Sequence, residues 1–372
     1  MKKKVLFLLA AFDKGGIEKV TLDIVNSLDP DKYDITVYTI WYGGSCQSKV
    51  NSNIKVKPVF FKRYVKGIIR LVDILSPKVL YKLFIRGKYD IEIAAGDGGC
   101  AKIIAGSGNR NSRKIAWIHM DVLKRGSRMK EFANRETARA VYEKFDKILC
   151  VSRACMNSFT EKFGEFDDID VAYNPMPKNE ITEKAGEEVN DIVFDKETFN
   201  FISVGRLVEQ KGFDRLIRVI SRLKKDIPET KFKVYVVGEG TERENLENMM
   251  KEYDLTEDII LLGFKENPYK YIKMADAYVM SSRDEAFPLC IGEALILHKV
   301  AIATDCNGID EWFMGNKYGL MTENNEDALF EGMKKLLLDK ELYENYGEKV
   351  AEREKLIDFD ITLKEFEEHI NG

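Results

Sequence analysis

The stretch "FNFISVGRLVEQKGFDRLIRVI" (Phe199–Ile220) runs from a β-prone apolar segment, through a glycine and two cations, into a helical pattern. The strand is expected to end at Gly205. Arg206 follows at once, and Lys211 comes five residues later, just before the helix. Two cations beside a strand-to-helix turn suit a diphosphate, because they neutralise its charge and stabilise it as it departs. Either cation alone reads equally well as an ordinary surface charge. The pair at the C-terminal edge of one strand favours a ligand.

The same alternation extends through the chain. The first half supplies "KVLFLLAA", "YDITVYTI", "YDIEIAAG", "RKIAWIHM" and "KILCVS". The second adds "KFKVYVVG", "DIILLGF", "DAYVMSS", "VAIATD" and "YGLMT". Near-continuous apolar strands separated by helices predict parallel sheets covered on both faces. At 372 residues the chain is long for one core, so two domains are expected. The sequence predicts an α/β protein with two Rossmann-like, doubly wound domains, residues 1–175 and 199–355. Residues 176–198, just after Pro175 and with Pro177 and many acids, read as linker and lead-in. Residues 356–372 read as a terminal amphipathic helix with Phe359, Leu363, Phe366 and Ile370 on one face.

Composition excludes several classes. Hydrophobic residues are 45% and charged residues 32%, ordinary for a globular protein in water, and no apolar run approaches the ~20 residues of a membrane span. The start, "MKKKVLFLLAAFDKGG", imitates a signal peptide but runs directly into Asp13 and Lys14, so a buried first strand is expected. Six cysteines without CxxC pairs and three histidines suggest neither a disulfide framework nor a zinc site, and they fit a reducing compartment. The net charge of −4 conceals an asymmetry. Residues 1–180 hold 32 Lys and Arg against 21 Asp and Glu, whereas residues 181–372 hold 26 against 41. The first half is therefore expected to face something anionic: nucleic acid, phosphates or a membrane.

Three features of the first half bear on that expectation. "AAFDKGGIEKVTLDIVNSL" reads as strand, glycine turn and helix; Gly15 and Gly16 would admit a ligand close to the backbone at a helix N-terminus. A plain tight turn is the competing reading. His119 ends an apolar strand, where a doubly wound sheet lines its ligand crevice. The segment Phe60–Asp90 mixes Lys62, Arg63, Lys66, Arg70, Lys78, Lys82 and Arg86 with apolar residues, a composition suited to an anionic membrane surface. A decoy also occurs: Gly96, Gly98 and Ala101 match G-x-G-x-x-A spacing, with Asp121 twenty residues on. This is not the domain's first strand, and Arg110, Arg113 and Lys114 lie just ahead of Asp121, so NAD binding is not expected.

In the second half, "SRDEAFPLCIGEALIL" (Ser282–Leu297) places Glu285 after a strand and Glu293 inside the next helix, eight apart. Pro288 suits a helix's first turn, so the N-terminus would fall between the acids, with Glu293 two turns in. "VVGEGTERENLE", "GFKENPYKYI" and "NGIDEWF" add further turns at strand ends. The D-x-D triplets at Asp29/Asp31, Asp168/Asp170 and Asp358/Asp360 read as surface acids.

"GGIE" at 15–18, "SVGRLVEQKGFDRLI" at 203–217, "VVGEG" at 236–240 and E-x7-E in "EAFPLCIGE" together resemble the retaining nucleotide-sugar glycosyltransferases of family 4. The resemblance is strong over residues 200–315 and looser in the first half. It implies the GT-B fold, two such domains facing across a cleft, with the C-terminal helix returning to the first. It further implies that Arg206 and Lys211 hold a donor diphosphate and that Glu293 meets the ribose. Glu285 would contact the transferred sugar, and the backbone of Phe287, Pro288, Leu289 and Cys290 would help seat the donor. His119 would lie near the donor sugar and Gly16 would close on the phosphates. Ala286 departs from the glycine common in the family. The implied reaction is metal-independent transfer from a UDP-sugar, with no cofactor and no nucleic-acid partner. Its acceptor would be a lipid-linked glycan at the inner face of the cell membrane, where the protein is expected to sit as a cytoplasmic, peripheral enzyme of capsule or other surface polysaccharide synthesis.

Overall fold

The computed structural model describes residues 1–13, 15–60, 72–124, 132 and 134–372. The chain forms two compact units, one comprising Met1–Pro175 with Asp360–Gly372 and the other Met176–Phe359.

The first unit is built on seven parallel strands: β1 (Lys3–Leu9), β2 (Tyr33–Trp41), β3 (Lys55–Phe60), β4 (Ile91–Ala95), β5 (Arg113–Ile118), β6 (Lys147–Cys150) and β7 (Ile169–Val171). Their order is β3-β2-β1-β4-β5-β6-β7, so the winding reverses between β1 and β4. Val5–Leu9, all of β4 and all of β6 are buried, which explains why these strands are apolar at nearly every position, with Glu92 and Lys147 the exceptions. The sequence reading missed β3 and β7. β3 alternates Lys55, Val56 and Lys57 and carries Pro58, tolerated because β3 is an edge strand. β7 is three residues long with an acid at its centre and lies at the other edge. The final helix, Phe359–Asn371, buries Leu363, Phe366 and Ile370. Within the first unit, Phe366 packs on Trp117 with ring centroids 4.9 Å apart, and Asn371 Nδ2 donates to the Tyr33 hydroxyl at 2.7 Å.

The second unit has six parallel strands: β8 (Phe199–Val204), β9 (Phe232–Val237), β10 (Ile259–Gly263), β11 (Ala277–Met280), β12 (Val300–Thr304) and β13 (Leu320–Thr322). Their order, β10-β9-β8-β11-β12-β13, reverses between β8 and β11. Those two strands pair only at Ala277 with Phe201 and Tyr278 with Ile202, then part. The buried Tyr278 hydroxyl bridges the gap. It accepts from Val204 N at 3.0 Å and donates to Val204 O at 3.1 Å, satisfying both backbone groups where the ladder opens. In an open α/β sheet, the crevice at such a reversal is where ligands bind. The segment read as linker contains a helix, Lys178–Ala185. Only Ile181 and Ala185 of its eight residues are buried, too sparse an apolar pattern to announce it.

Candidate active site

In the second unit, β8 delivers Gly205 and Arg206 to the crevice beside the end of β11. Arg206 is exposed and makes no ion pair among the described residues. A short 3-10 turn, Glu209–Lys211, leads to Gly212 at φ +66°, and the helix Phe213–Asp226 begins. Gly212 is required there: a Cβ would meet the Ser281 carbonyl oxygen at 2.1 Å. The turn therefore lies directly on the segment leaving β11.

That segment carries Glu285. Its Oε1 accepts from Lys211 Nζ at 2.6 Å and from Ser282 Oγ at 2.6 Å. The side chains are 19% (Lys211) and 9% (Glu285) exposed, so this ion pair is largely withdrawn from water. Burial alone would lower the Lys211 pKa, but the Glu285 carboxylate holds it above the ordinary lysine value. Lysine has three N–H donors, and one is directed to Glu285.

The helix after Glu285 is Leu289–Ile296, with Pro288 at its cap. Glu293 lies four residues in, little more than one turn rather than the two expected from Pro288. Residues Ile291–Ile296 are all buried, so Glu293 is a carboxylate set in an apolar helix, 7% exposed. The Tyr269 hydroxyl donates to its Oε1 at 3.3 Å. Burial pushes the neighbouring Cys290 thiol up to about 11, which leaves it protonated near neutrality.

Two further loops brace this segment. Gly308, at φ +79°, lies so close to Ala286 that a Cβ would meet its carbonyl oxygen at 2.5 Å. Phe287 packs on Trp312 with ring centroids 4.7 Å apart. On the other side, Gly238 and Gly240 of "VVGEG" let the β9 turn rest on Gly205 and Leu207; Cβ atoms there would meet those carbonyl oxygens at 1.8 and 2.2 Å. Leu207 N donates to Glu239 O at 3.0 Å. In "GFKENPYKYI", Lys265 pairs with Asp191 at 2.5 Å, and Asn267 Nδ2 donates to Lys184 O at 2.7 Å.

The first unit has its own crevice edge. Gly15 caps the helix Gly16–Ser27, which has no side-chain cap and carries Glu18 in its first turn. Lys14 lies outside the described residues. His119 follows β5; its backbone N–H donates to the Asp97 carboxylate at 3.3 and 3.4 Å, and its ring lies 4.3 Å from that of Trp117. Nε2 is buried with no hydrogen-bond partner among the described residues. Burial lowers the imidazole pKa to about 3, so His119 is neutral at physiological pH. In the decoy motif, Gly98 does precede a helix, Gly99–Ile104, at φ +61°. Asp121, however, caps its own turn, accepting from Leu123 N at 2.9 Å and Lys124 N at 3.4 Å.

The second unit therefore brings Lys211, Glu285, Arg206, Phe287–Cys290 and Glu293 to one sheet edge. Gly15, Gly16 and His119 lie at strand ends of the first unit. Sequence reasoning missed Ser282 and Tyr269, which bond the two acids. Ser282 lies inside the quoted stretch and gave only adjacency as a signal, and Tyr269 lies inside "GFKENPYKYI" and gave only its place beyond a strand end. Among the described residues no group of acids, histidines and cysteines is arranged to hold a metal, no helix is long and apolar enough to cross a membrane, and none of the six cysteines is in a disulfide.

The pattern of Glycosyl transferases group 1 matches residues 185–353, and that of Glycosyltransferase Family 4 matches residues 14–179. The chain is 33% identical over 221 residues to the N-acetylgalactosamine-N,N'-diacetylbacillosaminyl-diphospho-undecaprenol 4-alpha-N-acetylgalactosaminyltransferase of Campylobacter jejuni, a match covering 59% of this chain and 58% of that one. It is 23% identical to the amylovoran biosynthesis glycosyltransferase AmsD of Erwinia amylovora over the full length of both. Among solved structures, Anabaena HepE in complex with UDP superposes with a TM-score of 0.76 at 17% identity, covering 100% of each chain.

Proposed function

Because the chain belongs to the GT-B glycosyltransferases of family 4 type, we propose that it moves a hexose or N-acetylhexosamine from a UDP-sugar to a polyprenyl-diphosphate-linked glycan, with retention of configuration. The observation that carries this reading is the buried Lys211–Glu285 pair at the reversal between β8 and β11. The diphosphate would lie against Arg206, Lys211 and the start of the helix Leu289–Ile296. Glu285 would meet the sugar and Glu293 the ribose. The diphospho-undecaprenol acceptor named for the Campylobacter relative supports a lipid-linked acceptor, and the amylovoran biosynthesis named for the Erwinia relative supports a role in polysaccharide synthesis.

The chemistry follows from what is at hand. The bond from the anomeric carbon to the diphosphate oxygen breaks, leaving an oxocarbenium-like centre. The acceptor hydroxyl attacks from the same face, and its proton passes to the departing phosphate. The cations Arg206 and Lys211 stabilise the charge that develops on UDP, so the scheme calls for no metal. A carboxylate nucleophile would be the glycosidase alternative. Glu285 is instead engaged by both Lys211 and Ser282, which suits a group that holds hydroxyls.

The test is a panel of UDP-sugars assayed for UDP release with and without a polyprenyl-diphosphate glycan extract. Acceptor-dependent UDP release with sugar passing to the lipid phase is expected. Interconversion of the donor without UDP release would mark an epimerase and overturn the reading.

The membrane face belongs to the same proposal. Lys62, Arg63, Lys66 and Arg70 lie outside the described residues. In the described part, the helix Pro77–Phe84 buries only Leu80, while Ile74, Val79 and Leu83 are 77%, 42% and 55% exposed among the exposed cations Lys78, Lys82 and Arg86. Apolar side chains beside cations fit an anionic lipid surface at the inner face of the cell membrane. Co-sedimentation with anionic vesicles is expected at low salt and should fall as salt shortens the screening length. Equal recovery with neutral and anionic vesicles would contradict it.

A further inference from the structure

The helix Phe213–Asp226 carries a buried arginine that the reading above does not use. Arg215 is 6% exposed. Among the described residues, none of its hydrogen-bond partners is a carboxylate. Nε donates to Ser281 O at 2.6 Å; Nη2 donates to Ser282 O and, at 2.7 Å, to Asn324 Oδ1. The nearby acids are held by other arginines: Asp214 by Arg283 and Arg218, and Glu326 by Arg218.

Ser281 and Ser282 are the first residues beyond β11, four and three positions ahead of Glu285. Their backbone is held from several sides. Ser282 O also accepts from Thr304 Oγ1 at 2.6 Å and Cys306 Sγ at 3.2 Å. Asn324 Nδ2 donates to Arg283 O at 3.1 Å and Asp305 O at 2.8 Å. Ser281 Oγ donates to Lys211 O at 3.1 Å, and Gln210 Nε2 to Asp284 O at 2.8 Å. The turn bearing Lys211 and the segment bearing Glu285 are thus laced together, and Arg215 sits beneath the lacing.

We propose that Arg215, with Asn324 as its outer partner, is a positioning residue: its planar fork fixes the Ser281 and Ser282 carbonyls and thereby the register of Glu285 against Lys211. This rests on the reading of Glu285 as the residue that meets the donor sugar. Arginine fits the task because its donors have a fixed in-plane geometry, whereas lysine would offer a point charge. Placement errors of about 1 Å at a catalytic group cost on the order of 10²-fold in rate. A clasp of this kind is consequently felt in turnover rather than in nucleotide affinity.

The experiment is a double-mutant cycle on the full chain. Arg215→Lys and Asn324→Ala are made alone and with Glu285→Gln, and rates are expressed per UDP-binding site measured by calorimetry. Arg215→Lys should lower kcat by roughly tenfold or more while UDP affinity changes by less than about threefold. In the Glu285→Gln background the same change should lower the rate by less than about threefold, since coupled residues are not additive. Asn324 is exposed, so Asn324→Ala should fold even if Arg215→Lys does not, and it should show the same dependence on Glu285 with a smaller loss. Equal losses in both backgrounds, or a loss accounted for by fewer UDP-binding sites, would make Arg215 merely structural and overturn the proposal. An unimpaired Glu285→Gln enzyme would instead overturn the donor-site reading, and the proposal with it.

Discussion

Replacing Lys211 with methionine is expected to lower sugar transfer by on the order of 10²–10³, the usual cost of removing one donor aimed at developing charge. Methionine keeps much of the bulk and removes the ammonium. The change also strips Glu285 of its cation, leaving only the Ser282 hydroxyl on the same oxygen. Breaking a buried pair from one side typically costs about 3–5 kcal/mol; the partial exposure of Lys211 argues for the lower end, about 3 kcal/mol. Denaturant titration and initial rates separate the two effects. The double variant with Glu285→Gln should recover stability, because no lone carboxylate remains, but not rate. The pH dependence has a definite sign. The folded-state pKa of Lys211 is raised, so the stability from the pair is fully present below about pH 10.4 and lost as pH rises through the raised value. Between pH 6 and 9 the gap between wild type and Lys211→Met should therefore stay constant. A variant within tenfold of wild-type turnover would remove Lys211 from the chemistry.

Glu285→Gln should be nearly as damaging to transfer, by on the order of 10², and should leave UDP affinity within about threefold. The amide is nearly isosteric and can still accept from Ser282, so the fold is kept, although Lys211 loses its carboxylate and stability falls as it does when the pair is broken from the other side. What is lost is the charge that Lys211 answers and the acceptor strength offered to sugar hydroxyls. The two effects separate in kinetics: turnover falls while product inhibition by UDP persists. Loss of UDP binding in parallel with turnover would mean that Glu285 belongs to the nucleotide rather than the sugar.

Much of this arrangement was legible because it is local. Gly205, Arg206 and Lys211 lie within seven residues of one another, and Glu285 and Glu293 share one strand-to-helix connection. Apolar runs such as "KVLFLLAA" mark strands covered on both faces. Edge strands escape that logic: β3 has lysines and a proline, and β7 is too short to carry a pattern. The helix Lys178–Ala185 escaped for a similar reason, with two buried residues in eight. Tertiary partners were the hardest to see. Tyr269 lies 24 residues from Glu293, and Arg215 lies 66 from Ser281 and 109 from Asn324. Nothing in local periodicity distinguishes a buried arginine bonded to carbonyls from one on a solvated helix face. The position of Glu293 was misjudged because five residues beyond Pro288 span only about 1.4 helical turns, and the helix itself starts at Leu289.

The central claim is that the β8–β11 reversal holds a nucleoside diphosphate whose ribose meets Glu293. Calorimetric titration of UDP into the wild-type protein and Glu293→Gln tests it most directly. One UDP site is predicted for wild type, weakened by about tenfold or more, or 1.4 kcal/mol, in Glu293→Gln. No binding to the wild-type chain, or equal binding to both, would contradict the account.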